Sequence, residues 1–144
     1  VVRNVPRQYT QEEFLQHVNI AGQWDYLHLP YNLLHNRILG YAFINFKSRE
    51  LAVAFQWKWQ GKMLVGSQPR KPLDVALAES QGWRECLVRV KARKAHHLAR
   101  SGFLPIIYKD DVWLSHQQVI DEMTELKALG GRGSQASDED GSSE

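Results

Sequence analysis

The chain has 144 residues, 43% of them hydrophobic, with 18 Lys and Arg against 16 Asp and Glu for a formal net charge of +2. That is enough for one compact domain of roughly 100 residues with an extension, and too apolar for a wholly disordered chain. A single cysteine, Cys86, excludes an internal disulfide and a cysteine-based metal cluster and fits a reducing nucleus or cytoplasm. No apolar stretch approaches the roughly 20 residues needed to span a bilayer, so no membrane partner is expected.

The small net charge hides an asymmetry. The segment from Arg132 to Glu144 holds one base and four acids, which leaves 17 bases against 12 acids in the rest of the chain. A basic body is compatible with a polyanionic partner. Val1 opens directly on an apolar run, which implies a piece cut from a longer protein.

In chain order, Val1 to Val5 reads as a short strand stopped by Pro6, which cannot donate to a ladder. Thr10 and Glu13 have capping-box spacing, and Phe14, Leu15 and Val18 form an apolar stripe on a helix that Gly22 should close. Trp24 to Leu29 alternates as a second strand, with Leu27 and Leu29 on one face and Trp24, Tyr26 and His28 on the other. A loop over residues 31–38 leads to a third strand over 39–46. A helix over 48–59 should bury Leu51, Ala52, Phe55 and Trp59, and Trp57 is also expected to pack. A fourth strand over 73–78 places Leu73, Val75 and Leu77 on the core side.

This order is βαββαβ, the α+β, ferredoxin-like arrangement in which two helices cover one face of a four-stranded antiparallel sheet. Residues 1–80 are assigned to that core and 81–110 to an extension. Gln81 to Arg100 reads as one extra helix with Trp83, Leu87, Val90 and Leu98 on one side and Arg84, Arg89, Lys91, Arg93, Lys94 and Arg100 on the other. A short apolar segment, Phe103 to Tyr108, is broken by Pro105. A further helix over 111–129 is built on Val119, Ile120, Met123 and Leu126, and 130–144 is a Gly/Ser/acidic tail expected to be disordered.

The chemistry sits on the third strand. Gly40, Tyr41, Ala42, Phe43, Ile44 and Phe46 fill their places in the octamer of an RNA recognition motif. Alternation turns Tyr41 and Phe43 toward the open sheet face, where bases stack on aromatic rings at about 1–3 kcal/mol each. The hexamer of the first strand is less complete. Val1 stands where a stacking aromatic is usual, and Arg3 lies on the same open face, able to meet phosphate or to stack its guanidinium. Leu39 replaces the usual base, with Arg37 the nearest substitute; a phosphate contact and a solvated loop charge are equally open for it. Tyr26 and His28 either extend the stacking surface or pack under the extra helix. The candidate RNA-binding set is Val1, Arg3, Tyr26, His28, Arg37, Tyr41, Phe43 and Asn45.

His96 and His97 are adjacent and point about 100° apart on a helix, a poor metal site. Cys86, among apolar neighbours, reads as a small core residue. No catalytic constellation appears, so an enzyme, a cofactor and a small-molecule substrate are not expected.

Several of these segments together resemble the C-terminal RNA recognition motif of the Mei-two-like family. They are Val2-Arg3-Asn4-Val5-Pro6, Tyr26-Leu27-His28-Leu29-Pro30, Gly40 to Phe46, Gln81-Gly82 and Phe103 to Tyr108. The resemblance covers about residues 1–108. It implies single-stranded RNA binding by a regulator of RNA fate in meiosis or differentiation, carried by Arg3, Tyr26, Tyr41 and Phe43. His28 departs from the aromatic that the family tends to place there. The competing expectation is a protein-interaction module in which the helix from Gln81 is a lid that sets Trp83 and Leu87 over the aromatics.

Overall fold

A computed structural model describes residues 1–66 and 71–130. Of the tail expected over 130–144, residues 131–144 lie outside the described residues, as does part of the loop leading to Pro72, while Gly130 belongs to the final helix. The elements in order are β1 (Val2–Arg3), α1 (Gln11–Val18), β2 (Trp24–His28), β3 (Tyr31–Asn32), β4 (Arg37–Ile38), β5 (Tyr41–Phe46), α2 (Arg49–Trp59) and β6 (Asp74–Val75). After these come α3 (Trp83–Leu87), a 3-10 turn (Ala92–Lys94), α4 (Ala95–Ser101), β7 (Ile106–Lys109), β8 (Val112–Trp113) and α5 (His116–Gly130).

The βαββαβ core forms as the patterning requires. Thr10 caps α1 in a reciprocal box with Glu13, and Ser48 accepts from the Leu51 amide at the start of α2. Asn19, not Gly22, ends α1, taking the left-handed conformation at φ 52°. Phe14, Val18 and Phe55 are buried with Val2, Leu27 and Ala42, so α1 and α2 close one face of the sheet. Trp57 does not pack: it is 82% exposed, whereas Trp59 is partly buried beside Phe55.

The sheet is larger than four strands. Its order is β6-β1-β5-β2-β7-β8, every neighbouring pair antiparallel, with β3 and β4 forming a separate hairpin where a loop was expected. The segment after Pro105 supplies the fifth strand, because Ile106 and Ile107 pair with Leu27 and Tyr26. Asp110 and Asp111 then turn the chain with φ of 54° and 63°, the doubly positive geometry that a tight hairpin requires. At the other edge the backbone pairing beyond β6 ends at Ala76, which exchanges hydrogen bonds with Val1, and Leu77 after it is 86% exposed and not on the core side.

Two further corrections concern the face of β2 and the extra helix. The register slips between Trp24 and Tyr26, so Trp24 pairs with Phe46 and Tyr26 with Asn45. The bulge turns Trp24 to the α1/α2 side, against Tyr108, while Tyr26 and His28 stay on the opposite face. The predicted helix Gln81–Arg100 is broken between Leu87 and Ala95. Leu87 and Leu98 are both buried and lie eleven residues apart, three helical turns. A continuous helix with that face inward would bury Lys91 and Lys94 as well, and the chain breaks instead.

Gln11 locks α1 to the rest. Its buried amide donates to the Leu104 carbonyl at 3.0 Å and accepts from the Leu29 amide at 2.9 Å. Gln11→Ala leaves two buried backbone groups unpaired and is expected to cost about 2–4 kcal/mol in chemical denaturation. A loss below about 1 kcal/mol would show that water replaces the side chain there.

Candidate nucleic-acid interface

The face of the sheet turned away from α1 and α2 carries Arg3, Tyr41, Phe43 and Asn45, with Tyr26 and His28 beside them on β2. Register fixes this placement, since Arg3 lies opposite Tyr41, His28 opposite Phe43 and Tyr26 opposite Asn45. Gly40 leads into β5 at φ 95°, a conformation that a side chain would strain, and its carbonyl accepts from the Val5 amide.

The face is covered in one half and open in the other. α3 packs on β2 and β5, Leu87 is fully buried, and Cys86 is buried near Tyr26. Lys109, on the same face of β7 as Ile107, reaches Glu122 of α5 at 2.8 Å and lies 5.8 Å from the Trp83 ring. Trp83 therefore sits toward β7, with Arg84 stacked on it at 4.5 Å, and not over Tyr41 and Phe43. Of the two readings of Tyr26 and His28, packing beneath the extension is what the structure shows: they are 1% and 7% exposed.

Asn45 fastens this cover. Its Nδ2 donates to Asp25 at 2.8 Å and its Oδ1 accepts from the Gly82 amide at 2.9 Å, so β5, β2 and the start of α3 meet on one side chain. The amide is thus occupied on both ends within the protein. Burial lifts the Asp25 carboxyl above its ordinary range, and the hydrogen bond from Asn45 opposes that rise. Burial pushes the Cys86 thiol up to about 11, which keeps it protonated and inert.

The open half is a groove of about 420 Å³. Its floor is Val1, Arg3, Tyr41 and Phe43, with Tyr26 and His28 at its closed end, and its wall is Leu77 to Ser80 with Arg89 and Val90. Tyr41 is 41% exposed and Phe43 half-buried; their ring centroids are 6.4 Å apart and tilted by 59°. Arg3 lies 3.6 Å from Asp74, both side chains about half exposed. Arg37 is exposed on the β3–β4 hairpin and does not line the groove. The wall is what sequence patterning misses, because Arg89 was placed on a continuous helix and Leu77 on a core-facing strand. No group of three or more His, Cys, Asp and Glu able to hold a metal occurs among the described residues.

With the geometry in place, comparison with known proteins assigns the family. Residues 1–91 match the model of RNA recognition motif 2. The chain belongs to that family. It is 29% identical to Protein MEI2-like 5 of Arabidopsis thaliana over 151 aligned residues, covering 98% of this chain and 18% of that protein. It is also 29% identical over 89 residues to Meiosis protein mei2 of Schizosaccharomyces pombe, covering 57% and 11%. The chain therefore spans less than a fifth of the length of these relatives. Among solved structures it is similar to the RRM of Rna15 with bound RNA (GU), at 20% identity and a TM-score of 0.46 over 68% of this chain and 93% of that one.

Burial holds the His28 imidazole down to about 3, so it is neutral in the folded protein at physiological pH. The unfolded chain, with a histidine near 6.5, takes up this proton first as pH falls. The stability contributed by a neutral His28 is complete above pH 6.5 and is lost progressively toward pH 3, by at most about 1.4 kcal/mol per pH unit. His28→Phe should flatten the pH dependence of unfolding free energy between pH 6.5 and 4; an unchanged slope would assign the acid sensitivity to other groups.

Proposed function

We propose that this domain binds single-stranded RNA in the groove between β5 and the Leu77–Ser80 segment, as a regulator of RNA fate of the kind that serves meiosis or differentiation in nucleus or cytoplasm. One observation carries the reading: Tyr41 and Phe43 remain accessible on the sheet, in a groove bordered by Arg3 and Arg89. The two rings lie side by side on one sheet face, 6.4 Å apart and tilted by 59°, so each can take its own base. Arg3 and Arg89 then meet phosphates or the flanks of the bases. The ion pair of Arg3 with Asp74 is a weak competitor, because an exposed pair is worth about 0–1 kcal/mol. Family membership and the mei2 relatives support the same reading. A protein-binding module with a fully masked sheet needs the lid to reach Tyr41, which stays 41% exposed although α3 packs on β2 and β5.

Tyr41→Ala with Phe43→Ala should weaken binding of a single-stranded RNA octamer by at least about thirtyfold, at roughly 1–3 kcal/mol per stacked base, while the melting transition is kept. Wild-type affinity in the folded double variant would refute RNA binding at this face. Arg3→Ala and Arg89→Ala should each reduce the slope of log K against log salt by about 0.7. A slope that neither substitution changes would remove the phosphate role from both side chains.

A further inference from the structure

The segment after the groove wall starts and ends beside the groove. Val90 closes the wall, and Pro30 lines the same groove at the root of the β3–β4 hairpin. Tyr31, next to Pro30, stacks on Phe103 with ring centroids 4.1 Å apart and planes 12° from parallel. The 3-10 turn and α4 lie between these two anchors, so they run along the margin of the groove from Val90 back toward Pro30. Arg93 is three residues beyond Val90, at most about 11 Å along the chain.

Burial decides which way this segment faces. Ala95 and Leu98 are buried in the core, whereas Arg93, His97 and Arg100, spaced four and three residues apart, are exposed. Arg89, four residues before Arg93, is exposed on the groove wall and begins the same row. The charge is one-sided, since six bases and a single acid, Glu85, stand between Gln81 and Ser101. Among the described residues neither the Arg93 nor the Arg100 guanidinium has an ion-pair partner.

We propose that Arg89, Arg93 and Arg100 form a phosphate track that carries the RNA strand out of the groove and along the 3-10 turn and α4, an inference that rests on the RNA-binding reading above. A strand with bases on Tyr41 and Phe43 has to leave the groove, and this margin offers it unpaired arginines. The planar fork of a guanidinium matches two phosphate oxygens at once. Such contacts read no base; they lengthen the site and add salt-dependent affinity. An acidic peptide would satisfy the same charges, but continuity with a groove of accessible rings favours the nucleic acid.

The test compares the full chain with its Arg93→Gln, Arg100→Gln double variant. Labelled mixed-sequence single-stranded RNA of four and of twelve nucleotides is titrated against each over a range of salt. The groove alone suffices for the tetramer, and the dodecamer extends past it. The double variant should lower the dodecamer's slope of log K against log salt by about 1.4, two phosphates at roughly 0.7 each, and its affinity by roughly tenfold at about 0.1 M salt. Tetramer affinity should stay within about twofold of wild type. An equal loss at both lengths means a contact inside the groove or a general effect of charge, and overturns the track. Unchanged dodecamer binding overturns it too and leaves the row to an acidic protein partner. In both cases the RNA-binding reading stands. A wild type that binds neither length overturns that reading and the inference with it. Should the double variant misfold, NMR of the arginine Nε resonances in wild type decides. The dodecamer should shift Arg93 and Arg100 more than the tetramer does, and an equal response overturns the proposal.

Discussion

Strand β2 is buried on both faces, and most of what is particular to this molecule follows from that constraint. Leu27 faces α1 and α2, while Tyr26 and His28 face the other way, and all three are nearly inaccessible. A strand at the edge of a four-stranded sheet would leave its second face and its outer hydrogen bonds to water. Here β7 takes the outer hydrogen bonds and α3 takes the face. The extension from residue 81 is thereby part of the same hydrophobic core, which runs without interruption from Val2 to Met123.

Covering one half of the sheet defines the other half. The start of α3 is pinned at Gly82 by Asn45, so the wall of the groove is held by a residue that also belongs to the floor strand. Arg3 and the aromatic rings on the floor then face Arg89 on the wall across a gap instead of lying on an open surface. Preorganisation of this kind lowers the entropy lost when a flexible strand of nucleic acid is ordered. The β1 side contributes Arg3 and Val1 to the floor, so without a first-strand aromatic the accessible rings of the groove, Tyr41 and Phe43, both lie on β5.

The core of this arrangement was legible because it is local. Tyr41 and Phe43 alternate with Ala42 and Ile44, and period-two alternation fixes which side each faces. The capping box at Thr10 and the cap at Ser48 are likewise short-range signals. What could not be read depends on contacts between distant segments. Trp24 alternates correctly with Tyr26 in the sequence, but a bulge at Asp25, opposite no residue of β5, reverses its face. Nothing within Phe103 to Tyr108 says that its pairing partner is β2, some 80 positions earlier. The break after Leu87 reflects the burial of Leu87 and Leu98 together, which the helical period alone would satisfy by burying lysines. Tyr26 and His28 carry the same residue pattern whether they meet a base or a helix, and only the placement of α3 separates the two outcomes.

The pairing of Tyr26 with Ile107 also bears on how the chain reaches this structure. Elements contiguous in sequence, such as the β3–β4 hairpin, form by closing short loops, whereas β1 waits for residues 74–75 and β2 for residues 106–107. Assembly dominated by such distant pairings pays loop-closure entropy early and is slow for its size. During synthesis, the outer edge of β2 stays unpaired until the chain has passed Lys109. Its nearly all-buried composition leaves that exposed edge open to pairing with another nascent copy, and β7 is the strand that ends the exposure.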